Sequence, residues 1–181
     1  MKFLKFKIKN QIHFSFIRPK KVRPYIADWK VMLIVAFYQD RILSYQVLPK
    51  NTNVNGDVFF TFLSDYVWPS VHEYTIHKPI ILMDNAKPHF NQLVMDFLVG
   101  RKWETLEHPA YSPDMNPCDF DGIARIKRSL KGIRFTNEKE LKEALKSSID
   151  GINTRLEFKG IKRLYDQWND IIRNEGDYIL N

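Results

Sequence analysis

Pro79-Ile80-Ile81-Leu82-Met83-Asp84 is the stretch on which the fold turns, an unbroken apolar run that ends on a carboxylate. It is short for a helix and lacks the polar alternation of a strand with one wet face. Such a run predicts a strand buried on both faces, in the interior of a sheet. Upstream, Lys30–Tyr38 (KVMLIVAFY) and Arg41–Leu48 (RILSYQVL) are β-rich runs around the break at Gln39-Asp40, which predicts a hairpin. Between hairpin and strand, Val58, Phe59, Phe62, Leu63 and Tyr66 recur at helical spacing within Asn55–Val67. Downstream, the pattern predicts a helix from about His89 to Val99, a short strand at Trp103–Leu106, and helices at about 119–131, 138–149 and 157–173. The stretch Glu107–Pro117 holds three prolines and no periodicity, so it reads as a fixed loop. Asn137, with Glu140 three residues on, is a capping-box pattern that opens the second of these helices. A hairpin followed by alternating helix and strand implies an α/β sandwich around a mixed sheet flanked by helices. Residues 2–17 alternate lysine with Phe and Ile in places, and are expected to fill the central slot between the hairpin and Ile80–Asp84.

The 181 residues, 44% hydrophobic, suit one compact domain with a proper core, in which Trp103 and Trp168 are expected to sit. Cys118 is the single cysteine. An intrachain disulfide is therefore excluded, and a thiol without Cys or His partners makes no zinc site. No apolar run approaches the roughly 20 residues that span a bilayer. Lysines interrupt the apolar residues of MKFLKFKIKN at the start, so a secretory h-region is absent, and the reading is a soluble, intracellular protein with no membrane partner. The net charge of +7 is unevenly placed. Residues 1–23 carry eight Lys and Arg and no Asp or Glu, whereas the remainder holds 20 basic against 21 acidic residues. The expectation is a basic N-terminal arm over 1–23, suited to phosphate backbones or a nuclear-import receptor, or else simply solvated, followed by a domain over 24–181.

Two aspartates carry the candidate chemistry. Asp84 ends the buried strand, and open α/β sheets bind their ligands outside the carboxyl ends of strands. Asp119 opens a helix whose apolar stripe is Ile123, Ile126, Leu130 and Ile133, which places it on the same inward face one turn earlier. Two converging carboxylates repel each other unless a cation lies between them, and a hard divalent ion such as Mg²⁺ or Mn²⁺ suits oxygen ligands. Spacing alone equally admits a plain N-terminal helix acid and a strand-end residue satisfied by backbone.

The motifs around both aspartates carry a resemblance. Asp84-Asn85-Ala86-Lys87-Pro88-His89 resembles the DNAxPH motif of mariner/Tc1 transposases, and His108-Pro109-Ala110-Tyr111-Ser112-Pro113-Asp114-Met115-Asn116-Pro117-Cys118-Asp119 resembles the HPxYSPDxxPxD loop of that family. The 34 residues between Asp84 and Asp119 match the mariner spacing. The likeness continues through Lys131-Gly132-Ile133-Arg134-Phe135, Gly160-Ile161, Trp168 and Gly176-Asp177-Tyr178, and covers roughly nine-tenths of the chain.

The resemblance implies an RNase H-like fold and metal-dependent DNA strand cleavage and joining in cut-and-paste transposition. Three carboxylates hold two Mg²⁺ or Mn²⁺ ions in that chemistry, roughly 4 Å apart. Asp84 and Asp119 would be the second and third catalytic and metal ligands, transposon-end DNA the partner, the nucleus the place of action, and a homodimer an arrangement the family allows. Lys20, Lys21 and Arg23, and Lys127 and Lys131 with Arg134, are the candidate phosphate contacts; His89 either touches DNA or caps the helix after Asp84. The chain departs from the family pattern in one respect. Residues 1–27 contain no Asp or Glu, so the first catalytic aspartate has no counterpart there. The expectation is a truncated copy of the enzyme, and the alternative a catalytically dead remnant that retains weak nucleic-acid or partner binding.

Overall fold

A computed structural model describes residues 3–9, 31–49, 52–74, 76, 79–109 and 112–175, with the strand alone for 3–9. Five strands form one mixed sheet. They are β1 (Phe3–Lys9), β2 (Leu33–Tyr38), β3 (Arg41–Val47), β4 (Ile80–Leu82) and β5 (Glu104–Leu106), in the order β3-β2-β1-β4-β5. β2 and β3 make the expected hairpin, turned at Gln39, whose φ of 52° is left-handed. β1 fills the central slot as expected. It runs antiparallel to β2, from Leu4 opposite Tyr38 to Lys9 opposite Leu33, and parallel to β4, with Lys5 opposite Leu82. β4 in turn pairs in parallel with β5.

Period-two alternation sorts β2 between two cores. Ile34, Ala36 and Tyr38 join Phe59, Phe62, Leu63, Val67, Phe97 and Trp103 under the first layer of helices. That layer consists of α1 (Gly56–Phe62), α2 (Trp68–Glu73) and α3 (Gln92–Gly100). Leu33, Val35 and Phe37 join Ile123, Ile126, Leu141, Leu145, Ile149 and Phe158 on the other face. There the cover is α4 (Ile123–Ser129) and α5 (Glu138–Arg155), and α6 (Leu164–Arg173) closes the chain. The sheet is therefore buried on both sides, and Ile80, Ile81 and Leu82 are all buried, as the apolar run predicted. Trp103 is buried and Trp168 half-buried. No helix among the described residues is long and apolar enough to cross a membrane.

Several boundaries differ from the expected ones, each for a local reason. The first helix runs on to Glu73, widened into a π-helical turn over Leu63–Val67 in which the Trp68 N–H reaches back to Leu63 O. Pro69 has no N–H to offer the next carbonyl, and the wider turn accommodates that gap. The helix expected from His89 starts later. Lys87–Phe90 form a 3₁₀ turn, and Asn91 caps α3 by accepting from Leu93 N at 2.9 Å. Ile133, expected in the buried stripe after Asp119, is 43% exposed because α4 ends at Leu130. α5 runs six residues beyond the expected end, to Arg155, and stops at Leu156 with a left-handed φ of 49°. The last helix then begins only at Leu164. The boundary expected at residue 23 lies outside the described residues.

The Asn137 cap forms as expected. Its Oδ1 accepts from Glu140 N at 2.9 Å, and the Glu140 carboxylate accepts from Thr136 N at 2.8 Å, which holds that carboxyl below its ordinary range. The β3 edge is closed by a side chain. Asn153 Oδ1 accepts from Ile42 N at 2.7 Å and its Nδ2 donates to Ile42 O at 2.9 Å, so one amide takes the place of a neighbouring strand. Asn153→Ala removes both bonds and should lower stability by about 1–3 kcal/mol. A urea midpoint within error of the unmodified chain would show that water replaces the amide without loss.

Candidate active site

The parallel register brings the two motifs together. Leu82 on β4 lies opposite Leu106 on β5, so two residues further on Asp84 and His108 leave neighbouring strands at the same level. Asn85 then ties the two loops, its Nδ2 donating to His108 O at 2.9 Å. The Asp84 side chain is 26% exposed, and its Oδ1 accepts from Ala86 N at 3.1 Å. The 3₁₀ turn over Lys87–Phe90, closed by His89 N on Ala86 O at 2.9 Å, swings the His89 ring back under the aspartate. His89 Nδ1 lies 2.8 Å from Asp84 O and 3.0 Å from Asp84 Oδ1. Both are acceptors, so Nδ1 carries the hydrogen and donates. The ring is fully buried, with Phe59 at 4.5 Å, and Nε2 has no partner among the described residues. His89 therefore offers no surface to a phosphate, and its expected DNA contact gives way to the support of Asp84.

Asp119 is set by Asn116. This buried asparagine accepts from Cys118 N through Oδ1 at 3.2 Å, and from Asp119 N through its carbonyl at 2.7 Å. Asn-Pro at the cap and first position is a strong helix start, and an acid in the first turn meets the positive end of the dipole. The turn is not the expected α-helix. Cys118–Gly122 is π-helical, with Ile123 N bonded to Cys118 O, and α4 begins only at Ile123. The extra residue breaks the four-residue register between Asp119 and Ile123. Asp119 is half-buried, and Asp121 turns inward instead.

Gly122 lies against the Phe37 ring, where a Cβ would come within 2.3 Å of it. Phe37 pairs with Lys5 across the ladder, and Lys5 with Leu82. The turn that carries Asp119 thus crosses the sheet at the level where β4 ends, two residues before Asp84.

Asp121 was not singled out in the sequence, although its four-residue spacing from Arg125 was a readable sign of an ion pair. Cys118 is buried in the second core. Lys127, Lys131 and Arg134 are exposed, as a phosphate-attracting row must be, and Arg128 adds to them. Lys20, Lys21 and Arg23 lie outside the described residues.

The donor set decides which ion fits. Two carboxylates at one end of a sheet suit a hard divalent cation whose remaining positions are filled by water. Among the described residues, no group of three or more His, Cys, Asp or Glu gathers where a metal would be held. β1, the neighbour of β4, contributes Lys5, Lys7 and Lys9 and no carboxylate.

A β3-β2-β1-β4-β5 sheet covered by helices on both faces is the RNase H-like α/β fold. Residues 18–142 match the family of DDE superfamily endonucleases, and the chain belongs to that family. It is similar to the Mos1 mariner transposase of Drosophila mauritiana, 27% identical over 183 residues that make up 91% of this chain and 53% of that protein. It is also similar to the human histone-lysine N-methyltransferase SETMAR, 32% identical over 100 residues, 55% of this chain and 15% of that protein. The chain thus spans about half the length of Mos1 and a smaller part of SETMAR.

Among solved structures, the catalytic domain of Mos1 superposes with a TM-score of 0.82 at 26% identity, covering 98% of this chain and 84% of that one. The Mos1 paired-end complex with Mn superposes with a TM-score of 0.83, covering 98% and 56%. The fold is that of a mariner-type transposase catalytic domain, as the motifs implied.

His89→Phe keeps the ring volume and removes the donor shared by Asp84 O and Oδ1. Stability should fall by about 1–3 kcal/mol for the partly buried acceptors left behind. An unchanged urea midpoint would show that Ala86 N and solvent suffice for Asp84.

Proposed function

We propose that this chain serves as the catalytic domain for metal-dependent DNA strand cleavage and joining in cut-and-paste transposition, with Asp84 and Asp119 as its metal-ligating acids. The observation that carries the reading is the meeting of the two acidic motifs at one end of the sheet, tied by the Asn85–His108 bond. Its relative Mos1 is known as paired-end complexes with Mg and with Mn, which supports DNA ends and a divalent ion as the ligands here. Asp84 and Asp119 would hold Mg²⁺ or Mn²⁺, which would supply Lewis-acid activation of the attacking oxygen and charge relief at the leaving one.

The remaining work falls to the protein. Ala86 N and His89 hold the Asp84 carboxylate in one orientation, and Asn116 fixes the start of the turn that carries Asp119. The exposed Lys127, Arg128, Lys131 and Arg134 attract the DNA backbone, and Lys20, Lys21 and Arg23 add to that attraction. Two copies, one per transposon end, and a nuclear place of action belong to the same reading.

A second reading is favoured by one specific observation. β1 brings lysines beside β4, and no Asp or Glu occurs in residues 1–27. The 181-residue chain would then keep the fold and weak, salt-sensitive DNA binding while the metal site lacks a third acid.

Two measurements test these readings. Mn²⁺ binding, followed by electron paramagnetic resonance, should weaken at least about tenfold in both Asp84→Ala and Asp119→Ala, since each removes a direct ligand. Equal affinity in either variant removes that residue from the site. Incubated with transposon-end DNA and Mg²⁺ or Mn²⁺, residues 1–181 should show no specific cleavage. Robust cleavage abolished by Asp84→Ala would reject the second reading and require a further carboxylate in the site.

A further inference from the structure

We propose that Asp121 is a positioning residue, the anchor through which the segment 157–168 sets the orientation of Asp119. The inference rests on Asp119 being a metal ligand and names what fixes its place. Asp121 is 5% exposed, two residues beyond Asp119 on the same π-helical turn. A buried carboxylate is costly unless donors meet both of its oxygens. Here they do: Arg125 Nε donates to Oδ1, and Lys159 N donates to Oδ2 at 2.8 Å. The second bond reaches 38 residues along the chain, to a backbone group in the segment that leaves α5 at Leu156.

Further contacts from that segment reach the same loop. A Cβ on Gly160 would come within 2.7 Å of Pro117 Cβ and 3.0 Å of Asp121 Cβ, so only glycine lets the segment lie this close. Phe158 stacks on Phe37 at 4.5 Å, and Phe37 is the ring against which Gly122 rests. Trp168 Nε1 donates to Met115 O at 3.2 Å, which ties the loop just before Asn116. The Asp119 turn is therefore held from the sheet side by Phe37, from the outer side by Gly160, and from its own interior by Asp121. π-helical turns concentrate at functional sites because they re-aim one side chain without ending the helix. Asp121 keeps this turn in its wide form. Without it Arg125 and Lys159 N lose their shared partner, and the turn is free to tighten toward an α-helix that would rotate Asp119 away.

The experiment uses the full 181-residue chain with Asp121→Leu and Asp121→Asn, and Asn137→Ala, which uncaps α5 at the end away from Phe37, as a destabilised control. Two quantities are read: Mn²⁺ affinity by electron paramagnetic resonance, and hydrogen exchange of the Asp119 and Phe120 amides relative to Val94 in α3. Asp121→Leu should weaken Mn²⁺ binding about tenfold or more, the scale on which groups behind a ligand act. It should also speed exchange of both amides about tenfold, because both are bonded to Asn116 O at the mouth of the turn. Asp121→Asn keeps an oxygen for Lys159 N and should fall between Asp121→Leu and the unmodified chain, while Asn137→Ala should move neither quantity. A folded Asp121→Leu chain with unaltered affinity and exchange overturns the proposal. If that variant does not fold, Asp121→Asn and Gly160→Ala carry the test, and unaltered values in both overturn it. If the unmodified chain binds no Mn²⁺, the metal-ligand reading of Asp119 fails, and the exchange measurement alone decides whether Asp121 holds the turn.

Discussion

The ring of Phe37 is the surface on which the site is assembled. It is fully buried on β2, stacked by Phe158 on one side and met by Gly122 on another. The hairpin shifts register beside it, between Ala36 and Phe37, so that Ile42 faces Phe37 and Ser44 faces Ala36. An irregularity of this kind bends a strand and disrupts its ladder locally. Asn153 on α5 meets Ile42 at that point and takes up its N–H and C=O. The place where the sheet is least regular is thus the place where α5, the π-helical turn and the segment after α5 all converge. A close-packed interior transmits strain, so a loss of volume at Phe37 would be felt at Asp119 before it was felt at Asp84.

Much of this was legible in the sequence, and the reasons divide cleanly. Ile80–Asp84 was readable because burial on both faces leaves an unbroken apolar run, and β1 because its lysines alternate with Phe and Ile. Asn137 and Glu140 were readable because a capping box is a local contract between residues three apart. What could not be read were single-residue insertions into helices. The π-helical turn at Cys118–Gly122 shifts Asp119 and Asp121 around the axis without altering any apolar spacing downstream of Ile123. Residues 157–173 look like one helix because Phe158, Ile161, Leu164, Trp168 and Ile171 recur at helical spacing. The first two instead reach the core from an irregular segment whose Lys159 amide is committed to Asp121. That commitment lies 38 residues away and leaves no mark on the local pattern.

His89 shows the difference between finding a residue and knowing its work. The motif marked it, and the reading left two tasks open, a contact with DNA or a cap on the helix after Asp84. The structure gives it neither, since Asn91 caps α3 and the ring is fully buried. A ring closed off by Phe59, with Nδ1 turned onto both the carbonyl and the carboxylate of Asp84, fixes geometry and is closed to a phosphate. Lys127, Arg128, Lys131 and Arg134, which do face solvent, lie on α4 and the loop beyond it, past the turn that holds Asp119.

The acids of this domain do not depend on a cation to be tolerated. Asp84 has Ala86 N and His89, Asp121 has Arg125 and Lys159 N, and Asp119 sits in the first turn of a helix capped by Asn116. The Asp84 and Asp121 carboxylates are thus met by donors of their own, and Asp119 lies at the positive end of a helix. An ion that enters such a site adds to carboxylates already oriented, and its binding energy is not needed to build the fold, unlike that of a structural zinc site. Folding draws on Phe37 and the apolar faces of β2, residues other than the acids proposed to hold a metal.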